Sequence, residues 1–134
     1  MITYFDTGVL VGSLLQSHPK HASCLAAVRS ADTPHTCTHA LAETFATLTG
    51  FYKVPNDSAA ELTLGLQDVV TVSGLTLADY QTALTEARPR GVMGGGIYDS
   101  LHATFARRLG AQRIVTRNPG HFQHVAPDIE VIIP

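Results

Sequence analysis

A chain of 134 residues, 45% hydrophobic and 15% charged, carries enough apolar matter for a buried core and too little charge for a disordered tail. Its formal charge of −2 with histidines neutral offers no broad basic face, so any nucleic-acid partner needs a local patch. Cys24 and Cys37 form no CxxC pair and no stretch reaches the roughly 20 apolar residues of a membrane span, so a cytoplasmic protein with reduced thiols and no membrane partner is expected.

In chain order, ITYF predicts a buried strand and TGVLVGSLLQ a first helix, stopped near Ser17-His18-Pro19. KHASCLAAVRSA predicts a second helix, PHTCT a short strand, and THALAETFATLTGFY a helix with Thr38 as its N-cap. After the VPNDS break, AAELTLGLQDVV has helical spacing, TVSGL is a third strand, and LADYQTALTEARPRG is a helix stopped by Pro89. GVMGGG is a flexible turn, and IYDSLHATFARRLG is a helix closed by Gly110. QRIVT is a strand, NPGHF a loop and IEVII a last strand. Strands alternating with helices predict a three-layer α/β fold with a mainly parallel central sheet, in one domain spanning residues 1–134 without repeats or linkers.

In such a fold the strand-to-helix turns share the carboxyl edge of the sheet, where ligands bind. Asp6 follows the first strand, Glu43 lies in the first turns of the helix after PHTCT, and Asn118 stands just beyond IVT. Asp99 begins a helix that ends by feeding a strand, so it starts at the same edge. Helical phase puts Leu41, Phe45, Leu48 and Tyr52 on one stripe and Glu43 on the other, beside Ala46, Thr47 and Gly50. By the same spacing Ile97, Leu101 and Phe105 form a core stripe, and Asp99 points away with Ala103 and Ala106. Each acid taken singly is an ordinary solvated or capping position, Asp6 being well placed to cap the helix at Thr7. Taken together, three carboxylates roughly 5 Å apart repel by about 3 kcal/mol per pair at an effective dielectric of about 20. Either a cation joins them or some stay protonated. All-oxygen donors suit Mg²⁺ or Mn²⁺ better than zinc. His102, three residues after Asp99, is within reach of that carboxylate on the same helix side.

The segments FDTGVL, ALAETF, YDSLHATFA and IVTRNPGHF, in this order and spacing, resemble the PIN-domain ribonucleases, and within them the short VapC-type toxins of toxin–antitoxin pairs. The resemblance runs nearly end to end. It implies a metal-dependent endoribonuclease, usually a homodimer, held in check by a cognate antitoxin protein. It also implies that Asp6, Glu43 and Asp99 are the acidic, catalytic metal-binding triad, with Asn118 where the family often has a fourth acid. His121 stands where many members carry Asp, and these two departures weaken the case for a second tightly held metal. Thr7 and Thr116 match small hydroxyl positions that orient a ligand or a water. For an RNA substrate, Arg117, Arg88 and Arg90 are the candidate phosphate contacts, against the alternative of solvated surface charge.

Other readings are weaker. His18-x-x-His21 and His121-x-x-His124 lack a completing cysteine or acid, and GVMGGG matches neither a Walker loop nor a dinucleotide loop. An aspartyl phosphatase wants DxDxT where this chain has DTGVL, and a phosphorylated receiver wants a late lysine where this chain has Arg117. A catalytically silent PIN-like module that binds RNA or a partner is the remaining alternative.

Overall fold

The computed structural model describes residues 1–134. Strands β1 (Ile2–Phe5), β2 (Thr33–Cys37), β3 (Thr71–Ser73), β4 (Arg113–Val115) and β5 (Glu130–Ile132) form one sheet in the order β3-β2-β1-β4-β5. Every neighbouring pair is parallel. Seven helices surround it: α1 (Thr7–Leu14), α2 (His21–Ser30), α3 (Thr38–Gly50), α4 (Asn56–Gly65), α5 (Leu77–Glu86), α6 (Gly96–Leu109) and α7 (Pro119–Phe122). α1 packs on α2 and α3, and α3 on α4, while α5 packs on α6 and α6 on β2. The three-layer α/β arrangement anticipated from the alternation is the one present, with a sheet parallel throughout.

The buried strands feed one continuous core. Tyr4, Phe5 and Ile114 of the central strands meet Val9 and Leu10 of α1 and Phe105 and Ala106 of α6. α1 and α2 approach closely because position 12 is glycine: a Cβ there would stand 2.7 Å from Cys24 Sγ. Gly110 ends α6 at φ +79°, a left-handed conformation that glycine adopts without steric cost. No helix is long and apolar enough to cross a membrane.

Several local expectations need correction. The NPGHF segment is not a loop throughout, because Pro119 sits at the first position of a one-turn helix, where its missing N–H costs nothing. Thr38 is the first residue of α3 and not its cap; that position belongs to Cys37, which makes no side-chain capping bond. α3 ends before Phe51 and Tyr52, α5 ends at Glu86 short of Arg88, and the helix drawn through LQDVV gives way to a 3₁₀ turn at Leu66–Asp68.

The stripes shift as well. In α3 the buried line is Ala40, Thr44 and Leu48, with Leu41 and Phe45 half-buried beside it. In α6 every residue from Ser100 to Ala106 is buried, so Ala103 and Ala106 face protein and not an open pocket. A helix clasped on several sides has no polar face for helical phase to find.

Candidate active site

The strand order reverses direction between β1 and β4: the chain leaves β1 for β2 on one side and later returns to β4 on the other. In open parallel sheets the crevice outside such a switch point is the usual binding place. Asp6 and Thr116 occupy it. The Asp6 main chain extends the ladder, its N–H donating to the Val115 carbonyl at 3.0 Å. Its side chain caps α1, with Oδ1 accepting the Thr7 N–H at 2.8 Å. Thr116, fully buried, donates its hydroxyl to Asp6 Oδ2 at 2.8 Å and accepts the Asn118 N–H at 3.1 Å. Both oxygens of Asp6 are thus fixed in direction, each with a lone pair to spare.

Glu43 enters from α3. Its Oε1 accepts the Thr7 hydroxyl at 3.1 Å and lies 2.6 Å from His102 Nε2. Asp99, in the first turn of α6, keeps 24% of its side chain exposed and accepts no hydrogen bond; its nearest ionic neighbour is His121 Nδ1 at 3.4 Å. Burial and the charges of Asp6 and Glu43 raise its pKa, against a partial offset from His121 and His102. For Glu43, burial pushes the carboxyl up, and the His102 bond and charge, with His39 and Thr7, more than reverse this.

Four acids elsewhere have arginine partners, Glu86 with Arg90, Asp128 with Arg107, Asp79 with Arg108 and Glu130 with Arg113, and the unpaired Asp32, Asp57, Glu61 and Asp68 are exposed to solvent. Asp6, Glu43 and Asp99 have no such partner. Only imidazoles face them, His102 at 3.7 Å from Asp6 Oδ1 and His39 at 3.7 Å from Glu43 Oε1 in addition to the contacts above. Three carboxylates on one rim without a lysine or arginine leave negative charge for a cation to neutralise, and hard oxygen donors suit Mg²⁺ or Mn²⁺. The unbonded, half-buried Asp99 is the observation that fits an ion best. The ligand set is open, not preformed: no group of three or more His, Cys, Asp or Glu side chains is close enough to hold an ion by itself.

The remaining expected residues divide. Asn118 is exposed just past Thr116, and its side chain makes no hydrogen bond. The exposed Arg117 has its guanidinium 3.0 Å from His18 Nε2. Arg90 is bound to Glu86 at 3.0 Å and to the His124 carbonyl, whereas Arg88 is exposed and forms no ion pair. His102 corrects a specific expectation: its partner is Glu43 on another helix and not Asp99 on its own.

Two residues escaped the sequence reading. Tyr4 lies fully buried with its hydroxyl 2.5 Å from His102 Nδ1, and Cys37 Sγ is 3.1 Å from that hydroxyl. The signal was present for Tyr4, because strand alternation puts positions 4 and 6 on one side of β1. The largest cavity, about 870 Å³, is not at the acids; it lies between α1, α2 and α4, lined by residues such as Leu14, Leu25, Leu62 and Leu66. A second, about 430 Å³, borders Asp99, His121 and the glycine turn at Gly95 and Gly96.

The PIN domain family model matches residues 3–127. Among solved structures, a chain of VapBC2 from Rickettsia felis bound to a promoter DNA fragment superposes with TM-score 0.73 at 18% identity, covering 100% of this chain and 99% of that one. VapC20 from Mycobacterium tuberculosis, a sarcin–ricin loop cleaving toxin, superposes with TM-score 0.70 at 16% identity over 84% and 86%. VapBC-1 from nontypeable Haemophilus influenzae gives 0.70 at 18% identity over 99% and 98%. At such identities the likeness is one of fold. No curated protein matches the chain in sequence.

Proposed function

The chain belongs to the PIN domain family, and from that premise we propose that it is a divalent-metal-dependent endoribonuclease, the toxin of a toxin–antitoxin pair. The observation that supports this reading is that Asp6, Glu43 and Asp99 stand at the carboxyl edge of the sheet with no arginine or lysine paired to them, Asp99 feeling the charges of the other two. The solved relatives that share the fold include toxin–antitoxin complexes and a toxin that cleaves the sarcin–ricin loop, which supports both the RNA substrate and the antitoxin partner.

Asp6 and Asp99 would hold the ion, with Glu43 and Asn118 beside it. A bound Mg²⁺ or Mn²⁺ supplies positive charge to a phosphate oxygen and lowers the pKa of a bound water. The protein's part is positional. Thr7 and Thr116 fix the directions of Glu43 and Asp6, and the Asp99 carboxylate, free of hydrogen bonds, remains available to turn toward a ligand. Substrate grip has candidates at the same edge. Tyr98, next to Asp99, is 49% exposed and stacks on His39 with ring centroids 5.2 Å apart and planes 16° off parallel, which presents an aromatic face to a base. Arg88 and Arg117 are the exposed guanidiniums for phosphate, while Arg90 would first have to leave Glu86. The apolar groove between α1, α2 and α4 would receive the antitoxin.

The decisive test is cleavage of RNA by the purified, antitoxin-free protein in Mg²⁺ or Mn²⁺. Cleavage should stop with EDTA and fall by at least about a hundredfold in Asp6→Asn, the scale expected when several kcal/mol of metal stabilisation is lost. A protein that gel-shifts RNA but leaves it intact in either metal would be the silent RNA-binding module instead. Expression should arrest growth, and a small partner encoded beside it should relieve the arrest. A homodimer, as the resemblance implies, should appear in sedimentation.

A further inference from the structure

Glu43 is a rim residue with an interior anchor. Its side chain is 29% exposed, but the ring that binds it is 1% exposed. A carboxylate accepts only, so the proton at 2.6 Å belongs to His102 Nε2 whichever protonation state the ring adopts. On the far side, Nδ1 meets the Tyr4 hydroxyl, which in turn reaches Cys37 Sγ, and all three groups are buried. The ring cannot turn without leaving its own buried nitrogens unpaired, and that fixes where Glu43 Oε1 points. Oε1 also carries the Thr7 hydroxyl, which leaves Oε2 as the oxygen without a partner. The same Nε2 lies 3.7 Å from Asp6 Oδ1, so a hydrogen-bond donor already stands between the two carboxylates.

This arrangement leaves little room for a pair of ions. Two metals about 4 Å apart need carboxylates with both oxygens free to bridge or chelate. Glu43 has given one oxygen to the core. The positions beyond β4 add only the neutral Asn118 and an imidazole, His121, in place of further acids. We propose that His102 is a positioning residue that leaves Glu43 only Oε2 for a ligand, so that Glu43 can neither chelate nor bridge and the site takes a single divalent ion, held chiefly by Asp6 and Asp99. The inference rests on the metal-nuclease reading above and fixes the ion count and the division of labour within it.

The test is Mn²⁺ binding to the metal-free, full-length protein, counted by electron paramagnetic resonance without RNA. One Mn²⁺ per chain is expected for the wild type and for His102→Gln, whose amide N–H replaces the lost donor. In His102→Leu the released Glu43 regains both oxygens for chelation or bridging, giving a second Mn²⁺ or tighter binding of the first. In the same variant kcat for RNA should fall about 10–100-fold, the usual effect of losing such a supporting bond, with KM unchanged. A purely structural histidine would weaken or abolish Mn²⁺ binding in His102→Leu and would not separate kcat from KM. Tyr4→Phe, which keeps the core volume and removes the ring's anchor, should move both readouts in the same direction by a smaller factor if His102→Leu fails to fold. Two Mn²⁺ on the wild-type chain would overturn the inference and leave the nuclease reading standing. No Mn²⁺ at all would overturn the nuclease reading itself.

Discussion

Replacing Asp99 with Asn should push stability in opposite directions depending on the metal. In EDTA the wild-type protein carries a half-buried carboxylate that accepts no hydrogen bond and faces the charges of Asp6 and Glu43. Unit charges at roughly 6 Å repel by about 1–3 kcal/mol at an effective dielectric of about 20–40. Asn fills the same space without that charge and forfeits only the 3.4 Å approach of an exposed His121, a contact worth a few tenths of a kcal/mol. The metal-free variant should therefore be about 1 kcal/mol more stable than the wild type, roughly a 3–5 °C rise in Tm for a chain of this length. Mn²⁺ at a hundred times its Kd would stabilise the wild type by about 2.7 kcal/mol and the variant hardly at all. The order of the two melting curves should then reverse, and RNA cleavage by the variant should vanish. Thermal denaturation with and without Mn²⁺ reads all of this. If Asp99→Asn melts lower than the wild type in EDTA, or gains as much from Mn²⁺, the carboxylate is a structural group and the reasoning fails.

Three further outcomes follow from other parts of the molecule. Tyr98→Ala should weaken binding of single-stranded RNA by about 1–3 kcal/mol, Tyr98→Phe should not, and neither should alter Mn²⁺ affinity; equal RNA binding by all three proteins would remove the stacking role. Gly12→Ala forces a Cβ to within 2.7 Å of Cys24 Sγ and should cost about 1–3 kcal/mol in chemical denaturation, a loss that the double variant with Cys24→Ala should largely recover. Asp79→Asn keeps an oxygen for the capping box of α5 but removes the charged two-point contact with Arg108 at 2.7 and 2.8 Å, with an expected loss of about 1–2 kcal/mol. Because the Arg108 bond lowers the folded pKa of Asp79, that contribution should be present above about pH 4 and disappear as pH falls through the folded value. A wild-type and Asp79→Asn pair whose stability gap stays constant from neutral pH down to acid would contradict it.

Local sequence pattern specifies the alternation of strands and helices, hence the parallel sheet, and with it the edge to which Asp6, Glu43 and Asp99 belong. These follow from local pattern: apolar runs bounded by polar residues, and the rule that a strand followed by a helix turns at the carboxyl end. Asp6 was legible as a cap, and it caps α1 at the carboxyl edge. Which side chains touch is not legible in local pattern. His102 and Glu43 are 59 residues apart in the chain and Tyr4 and His102 are 98 apart, so no helical or strand period links them. α6 lost the open side expected beside Asp99 for the same reason, since protein covers Ala103 and Ala106. Short-range sterics and hydrophobic spacing write elements into a sequence. Contacts between elements depend on packing angles and on which side chain reaches a shared partner first, and those are settled only when the whole core closes.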